Sequence, residues 1–447
     1  MTAGARELLR DRSGAQRVTN IELFFDLVYV FAVTQLSHRL LADPTPRGAL
    51  QSALLLAMVW LLWGYTTWVT NWMDPERLEL RILLVILMLV SLAMSAALPR
   101  AFGGGLLSAG LVIGCAYAVQ QVGRSAFMVA VLRGPANASL RRIFERILAW
   151  CVLSGAFAVA GGLVHGWLRD LLWVLAVLTD VSGPLLGFRT PGLGRSQTSE
   201  WTIEGGHFAE RCQAFILIAL GESIVITGAT MSGMRHAGVW TVFAFVVAFA
   251  GSVTLWWLYF DRAAGESKQV IASSDDPGAL ARAAFTLIHP VMVAGIIVAA
   301  AGDEKILADP SAVASAPSAW LILGGPALFV AGHAAFKYSV WKVIPWSRLA
   351  GLAALALLAA TVPALPEVAL AACAATVVAA IAVADRAGTG AAPGSTAERS
   401  ALAGGAGRVV RSRDYSSSSS LSMTMLRLSF WRRKEMSSRL LAMENRR

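Results

Sequence analysis

The chain has 447 residues, 56% of them hydrophobic and 15% charged, with 15 Trp and a formal net charge of +10 at pH 7. Soluble globular domains carry nearer 25% charged residues, so this composition, with its positive mean hydropathy, excludes an ordinary soluble protein and points to an all-α, polytopic membrane helix bundle. The basic excess is uneven, with 12 of the 38 Lys and Arg residues in positions 386–447. In a membrane protein that balance reflects topology and anionic lipid at the cytoplasmic face, and no nucleic-acid motif accompanies it.

The N-terminal segment 1–20 opens MTAGARELLRDRSGAQR, which lacks the apolar run of a cleavable signal peptide. The first span is therefore expected to direct insertion itself. Residues 19–38, TNIELFFDLVYVFAVTQLSH, have the length and apolarity of that span but carry Glu22 and Asp26 on its first turns. Each such carboxylate costs roughly 2.5–3.5 kcal/mol at the bilayer centre. Four residues apart, they share one helix face, which Tyr29 and Val33 continue.

From there the chain offers twelve segments near the ~20 residues that a bilayer requires. They lie at about 21–41, 49–72, 80–98, 106–131, 145–165, 168–188, 207–229, 237–260, 280–301, 319–341, 347–362 and 366–385. The last two, split by Pro363 and Pro366, are also compatible with a single re-entrant hairpin. In the fourth, Gly110 and Gly114 make one GxxxG step, a pattern that lets helices approach closely. The tryptophans of the second, among them Trp63, fit an interface belt or packing. Asp180 sits deep in the sixth, followed by Ser182, Gly183 and Pro184, which should interrupt the helix and expose backbone carbonyls. His207, Glu210 and Arg211 open the seventh. Glu222 lies twelve residues beyond Glu210, about 18 Å along the axis, beside Gly221 and Ser223.

Loop charge sets the topology. With twelve spans, the loops on the side of the termini carry 14 Lys and Arg residues and the opposite loops carry five. Four Arg in the N-terminal segment and the basic tail add to the first side, so both termini are expected in the cytoplasm. Three arginines are left over in or beside spans: Arg39, Arg124 and Arg211. Glu22, Asp26 and Glu210 lie at one shallow depth with Arg124 and Arg211, which allows an inner-leaflet cluster serving either as a structural salt-bridge network or as a gate. His207 is placed to cap the seventh span or to meet acidic lipid.

The chain also repeats itself. ELFFDLVYVFAVTQL of span 1 laid on ERCQAFILIALGESI of span 7 sets Glu22 on Glu210 and Thr34 on Glu222, and each following span gathers tryptophans. Six spans per half makes the two repeats parallel, 21–188 and 207–385, joined by a cytoplasmic linker 189–206. The tail 386–447 is low-complexity and basic, and is expected to be disordered, with an end able to lie on anionic lipid.

Three segments, ELFFDLVYVFAVTQLSH at 22–38, HFAER at 207–211 and LGESI at 220–224, resemble the signature segments of the bacterial low temperature requirement A family. The similarity covers about residues 17–385. It implies a multi-spanning protein of the bacterial inner membrane and supplies no substrate or catalytic residue. A second likeness, to two-repeat potassium channels of the lysosomal and bacterial type, is partial. Phe24-Phe25-Asp26 stands where those helices bear Phe-Ser-Asp, and Gln213-Ala214 replaces the second Ser-Asp.

Four cysteines sit singly in apolar runs, so neither disulfides nor a zinc site is expected, and no metal or cofactor is implied. No Walker A loop, HExxH, GxSxG or paired Cys marks an enzyme. The favoured reading is a proton-coupled secondary transporter of a small solute. Glu222, Ser223 and Asp180 form its coupling site, while Glu22, Asp26, Glu210, Arg124, Arg211 and His207 form the cytoplasmic gate. A cation channel on the same repeat axis and a non-transporting, lipid-directed membrane protein are the alternatives.

Overall fold

The computed structural model describes residues 8–10, 17–105, 108–196, 204–234, 236, 238–261, 270 and 280–387. The tail beyond 387, part of the 189–206 linker and most of the N-terminal segment lie outside them. Twelve α-helices occur among the described residues, each over one of the segments that hydropathy marks. They are α1 (Asn20–Ala42), α2 (Pro46–Trp72), α3 (Leu78–Ala97), α4 (Ala109–Val131), α5 (Ala138–Leu163) and α6 (Trp167–Leu185), then α7 (Gly205–Ser232), α8 (Val239–Phe260), α9 (His289–Ala308), α10 (Ala316–Trp341), α11 (Trp346–Leu358) and α12 (Glu367–Ala387). No strand is present among the described residues, only isolated bridges such as Leu9 to Met73.

Helix starts follow ordinary capping chemistry. The Thr45 hydroxyl accepts from Gly48 N with Pro46 at the first helical position of α2, and Ser108 accepts from Leu111 N at the start of α4. At α1 the third helical residue, Glu22, reaches back to accept from Thr19 N at 2.9 Å. The first carboxylate in the apolar run is thus partly a cap.

Among the described residues, nine helices are long and apolar enough to cross a membrane. The expectation of twelve spans therefore holds for the positions of the helices and is reduced for their apolarity. Of the other three, α11 is only 13 residues long. The remaining two, α4 and α6, hold buried Gln120, Gln121 and Arg124 and buried Arg169 and Asp180, which lower their apolarity. The bundle is apolar outside and charged inside. Leu89, Val239 and Leu357 are 68%, 78% and 74% exposed, whereas Asp180 and Arg211 are fully buried. Water would not tolerate that distribution but lipid demands it, because polar side chains in hydrocarbon must find partners within the protein. The chain is a multi-pass membrane protein.

Glycine seams set the closest helix contacts. A Cβ on Gly114 would stand 2.3 Å from the Ala158 carbonyl oxygen of α5, and one on Gly162 would stand 2.7 Å from that of Gly110. The GxxxG step is thus a true backbone seam. A matching seam joins α9 to α10, where a Cβ on Gly295 would lie 2.5 Å from Phe329 N. Beside the first seam, Arg169 donates to the carbonyls of Val164 (2.9 Å), Ala101 (2.5 Å) and Gly103 (3.0 Å), closing the ends of α5 and of the loop after α3.

Replacing Gly114 with Ala should lower stability by about 1–3 kcal/mol, the usual cost of overpacking, read as a drop in Tm in detergent. Ala at Gly123, where a Cβ would meet nothing within 4 Å, should leave Tm unchanged.

Candidate functional site

Three of the polar networks inside the bundle hold the carboxylates and arginines marked in the sequence, and their degree of saturation distinguishes them. The first joins the starts of α1 and α7 to the end of α2. Arg211 donates to Asp26 through Nε (3.0 Å to Oδ2) and Nη2 (2.5 Å to Oδ1), and through Nη1 to Glu22 Oε1 (3.1 Å) and Thr70 Oγ1 (3.2 Å). Trp63 Nε1 donates to Asp26 at 2.7 Å. Arg10 Nη2 and Thr19 Oγ1 donate to Glu22 Oε2 at 2.8 and 2.9 Å. His207 Nε2 lies 2.9 Å from Glu22 Oε1, while Asn71 Nδ2 faces its Nδ1 at 3.2 Å. Arg10 Nη2 lies 3.2 Å from the same Nε2, so Glu22 and Arg10 both meet that ring nitrogen.

Glu22 and Asp26 are one turn apart, as are His207 and Arg211. Ascending residues meet ascending residues, so α1 and α7 run parallel at this contact. Every carboxylate oxygen here has a partner, and two arginines balance two acids. Trp63 is 1% exposed and serves this network rather than an interface belt. His207 is central to the network as well, not a lipid-facing cap. Glu210 stays at its edge, half-buried, accepting from Val18 N at 3.4 Å.

Arg124 is not in this cluster, contrary to the sequence expectation. It belongs to a second network, one turn along α2. Its Nη1 donates to Thr66 Oγ1 (3.2 Å) and the Leu62 carbonyl (3.4 Å), and its Nη2 bonds Gln121. Depth alone could not separate Thr66 from Thr70 as the two arginines' anchors. Gln121 and Tyr117 both donate to Asp180 Oδ2, Tyr117 at 2.5 Å. Asp180 Oδ1 is buried with no hydrogen-bond partner.

The expected break after Asp180 is absent. Helix α6 runs to Leu185 with Pro184 in its last turn, which puts Asp180 about 8 Å from that end of the helix rather than beside a midplane gap. Asp180 and Arg124 line a cleft whose other walls include Trp68, Phe144, Phe188 and Arg282. A π-helical turn, Arg282–Ile288, forms one edge and leaves the Thr286 hydroxyl buried without a partner. Such wide turns recur at functional sites.

The third network lies further along α7. Glu222, 8% exposed, accepts from the Thr34 hydroxyl of α1. Its neighbour Ser223 points the other way, with its hydroxyl 3.2 Å from Ser252 Oγ and 3.4 Å from Asp303 Oδ2. Sequence reading passed over Asp303 because the apolar run stops near residue 301. The helix continues to Ala308, and the acid lies on it. The signal was available, since nothing between Ala301 and Lys305 breaks a helix. Among the described residues no group of three or more His, Cys, Asp or Glu side chains is arranged to hold a metal ion. Of the cysteines, Cys151 and Cys212 are buried and Cys115 is exposed.

Comparison with known proteins gives one family. Residues 17–383 match the family model described as bacterial low temperature requirement A protein. An uncharacterized protein of Rhizobium meliloti (strain 1021) is 35% identical over 357 residues, covering 80% of this chain and 86% of the relative. No solved structure matches the chain.

Breaking a buried ion pair from one side costs about 3–5 kcal/mol because the other charge is left unpaired. Arg211→Gln should therefore cause one of the largest losses of thermal stability in the molecule. Arg141→Gln, which breaks an exposed pair with Glu145, should change stability by less than about 1 kcal/mol.

Proposed function

The chain belongs to the bacterial low temperature requirement A protein family, and on that premise we propose that it is a secondary transporter of the bacterial inner membrane. In this reading it moves a small solute together with protons and keeps both termini in the cytoplasm. One observation carries the reading. Asp180 is fully buried, its Oδ2 takes two donors while its Oδ1 takes none, and it stands on the wall of a cleft. The donors of the nearby Arg124 go to Thr66, Leu62 and Gln121. A carboxylate left half-bonded in a low-dielectric site is suited to exchange a proton, or a donor of the solute, at its bare oxygen.

The network around Arg211 has no such vacancy. We read it as the clamp that holds α1, α2 and α7 together, and Asp180 with Arg124 as the working part. Glu222 is the second coupling candidate. A two-repeat architecture is consistent with the packing, in which α1 meets α3 as α7 meets α9, and α2 meets α6 as α8 meets α12. Glu222 also bonds Thr34, the residue it aligns with in the other repeat, as expected of positions close to a symmetry axis.

Proteoliposomes loaded with a pH-sensitive dye and challenged with pools of amino acids, sugars and organic acids test the reading. Solute-triggered proton entry is expected from the native protein. Asp180→Asn, which keeps the side chain's shape, should abolish it without lowering Tm by more than about 1–2 kcal/mol equivalent. Cation flux that needs no solute would favour a channel instead.

A further inference from the structure

A second cavity lies among α7, α8, α9, α10 and α12, away from the Asp180 cleft. Its lining joins one acid, Asp303, to the hydroxyls of Ser223 and Ser252. Both serines are buried, 3% and 5% exposed. The three side chains already converge, Ser223 lying within 3.4 Å of both the others. Much of the remaining wall is Gly and Ala, including Gly251, Gly302 and Ala374, so small residues leave the oxygen atoms uncovered.

Helix α10 supplies an independent feature. Pro326 lies inside it and has no N–H to give to the Ile322 carbonyl one turn earlier. Both residues line the cavity. Gly302 packs against the same stretch, where a Cβ would be 3.3 Å from Ile322 N, and its neighbour Asp303 lines the same cavity as Ile322. In a membrane interior, a backbone group without its helical partner is tolerated where it lines a cavity.

We propose that this cavity binds one alkali-metal cation through the Asp303 carboxylate, the Ser223 and Ser252 hydroxyls and the Ile322 carbonyl. The donor set is all oxygen, which suits a hard cation. Among the described residues no Lys, Arg or His side chain forms a salt bridge with Asp303. When ionised, the single acid carries one negative charge, which a monovalent ion neutralises and a divalent ion would overfill. Glu222, the other acid nearby in sequence, is turned toward Thr34 of α1 and is not in the set. The site stands on residues separate from the Asp180 cleft, so it does not depend on the transport reading.

Equilibrium binding of ²²Na⁺ and ⁸⁶Rb⁺ to the purified full-length protein in detergent tests it. Saturable binding of one or the other at a single site per chain is expected. Asp303→Asn should weaken it by at least about tenfold, since even residues behind a metal ligand are worth that much. Should Asp303→Asn fail to fold, Ser252→Ala supplies the same test with a smaller expected loss. Asp180→Asn should leave cation binding intact while removing proton entry, which separates failure of this inference from failure of the transport reading. Absence of binding of either ion, binding unaffected by both Asp303→Asn and Ser252→Ala, or preferential binding of ⁴⁵Ca²⁺ would overturn the inference.

Discussion

A guanidinium buried between two carboxylates governs this molecule. Arg211, Glu22 and Asp26 are each fully buried in helices whose outer faces are apolar, so none of the three has water to fall back on. The desolvation of such charges is offset only when geometry and the remaining hydrogen bonds are both satisfied. That condition fixes the rotation of α1, which must turn Glu22 and Asp26 inward and so turns Phe24, Leu27 and Phe31 outward. It also fixes α2, whose Trp63 and Thr70 complete the bonding, and sets α7 parallel to α1. One electrostatic requirement thus aligns the neighbouring helices α1 and α2 with α7, which is far from both in sequence.

Against that saturated network the other two stand out by what they leave open. Asp180 keeps a bare oxygen, the Thr286 hydroxyl is without a partner, and Asp303 has only a long contact with Ser223. In a protein interior a satisfied polar network rigidifies, while an incompletely satisfied one marks a strained or working position. The glycine seams bear on the same contrast. By bringing α4 against α5 and α9 against α10 at backbone distance, they make each pair a stiff plate. Each cleft then lies against one of these plates, the Asp180 cleft beside α4 and α5 and the Asp303 cavity beside α9 and α10.

The positions of the twelve helices, the shared face of Glu22 and Asp26 and the Gly110–Gly114 seam were all legible in the sequence, because each follows from periodicity along one chain segment. The partners across helices were less so. Arg124 and Arg211 sit at comparable depths, and nothing local told which would reach Asp26; the answer lay in Thr66 and Thr70, one turn apart on a third helix. His207 looked like a terminal residue because it starts α7, yet Asn71 and Glu22 enclose it. Asp303 was lost for a different reason, since a helix outlasts its apolar stretch when its last turns face protein rather than lipid. The break anticipated after Asp180 failed because the one helical acceptor that Pro184 leaves unpaired, the Asp180 carbonyl, is taken up by the Tyr65 hydroxyl at 2.9 Å.

Helix α7 ties these parts together. Its first turns carry Arg211 into the clamp, and three turns later Glu222 and Ser223 face opposite ways, one toward Thr34 of α1 and the other toward Ser252 and Asp303. An α-helix transmits rotation and translation along its axis with little internal give, so a displacement of α7 large enough to free Glu222 from Thr34 would also shift Ser223 within the cavity. The clamp at the start of α7 opposes translation there but leaves the far end freer to swing. A helix pinned at one end by charge, with polar contacts of opposite direction near its middle, is the kind of element through which two sites in a bundle can be coupled, beside the α4–α5 and α9–α10 pairs that the glycine seams hold at backbone distance.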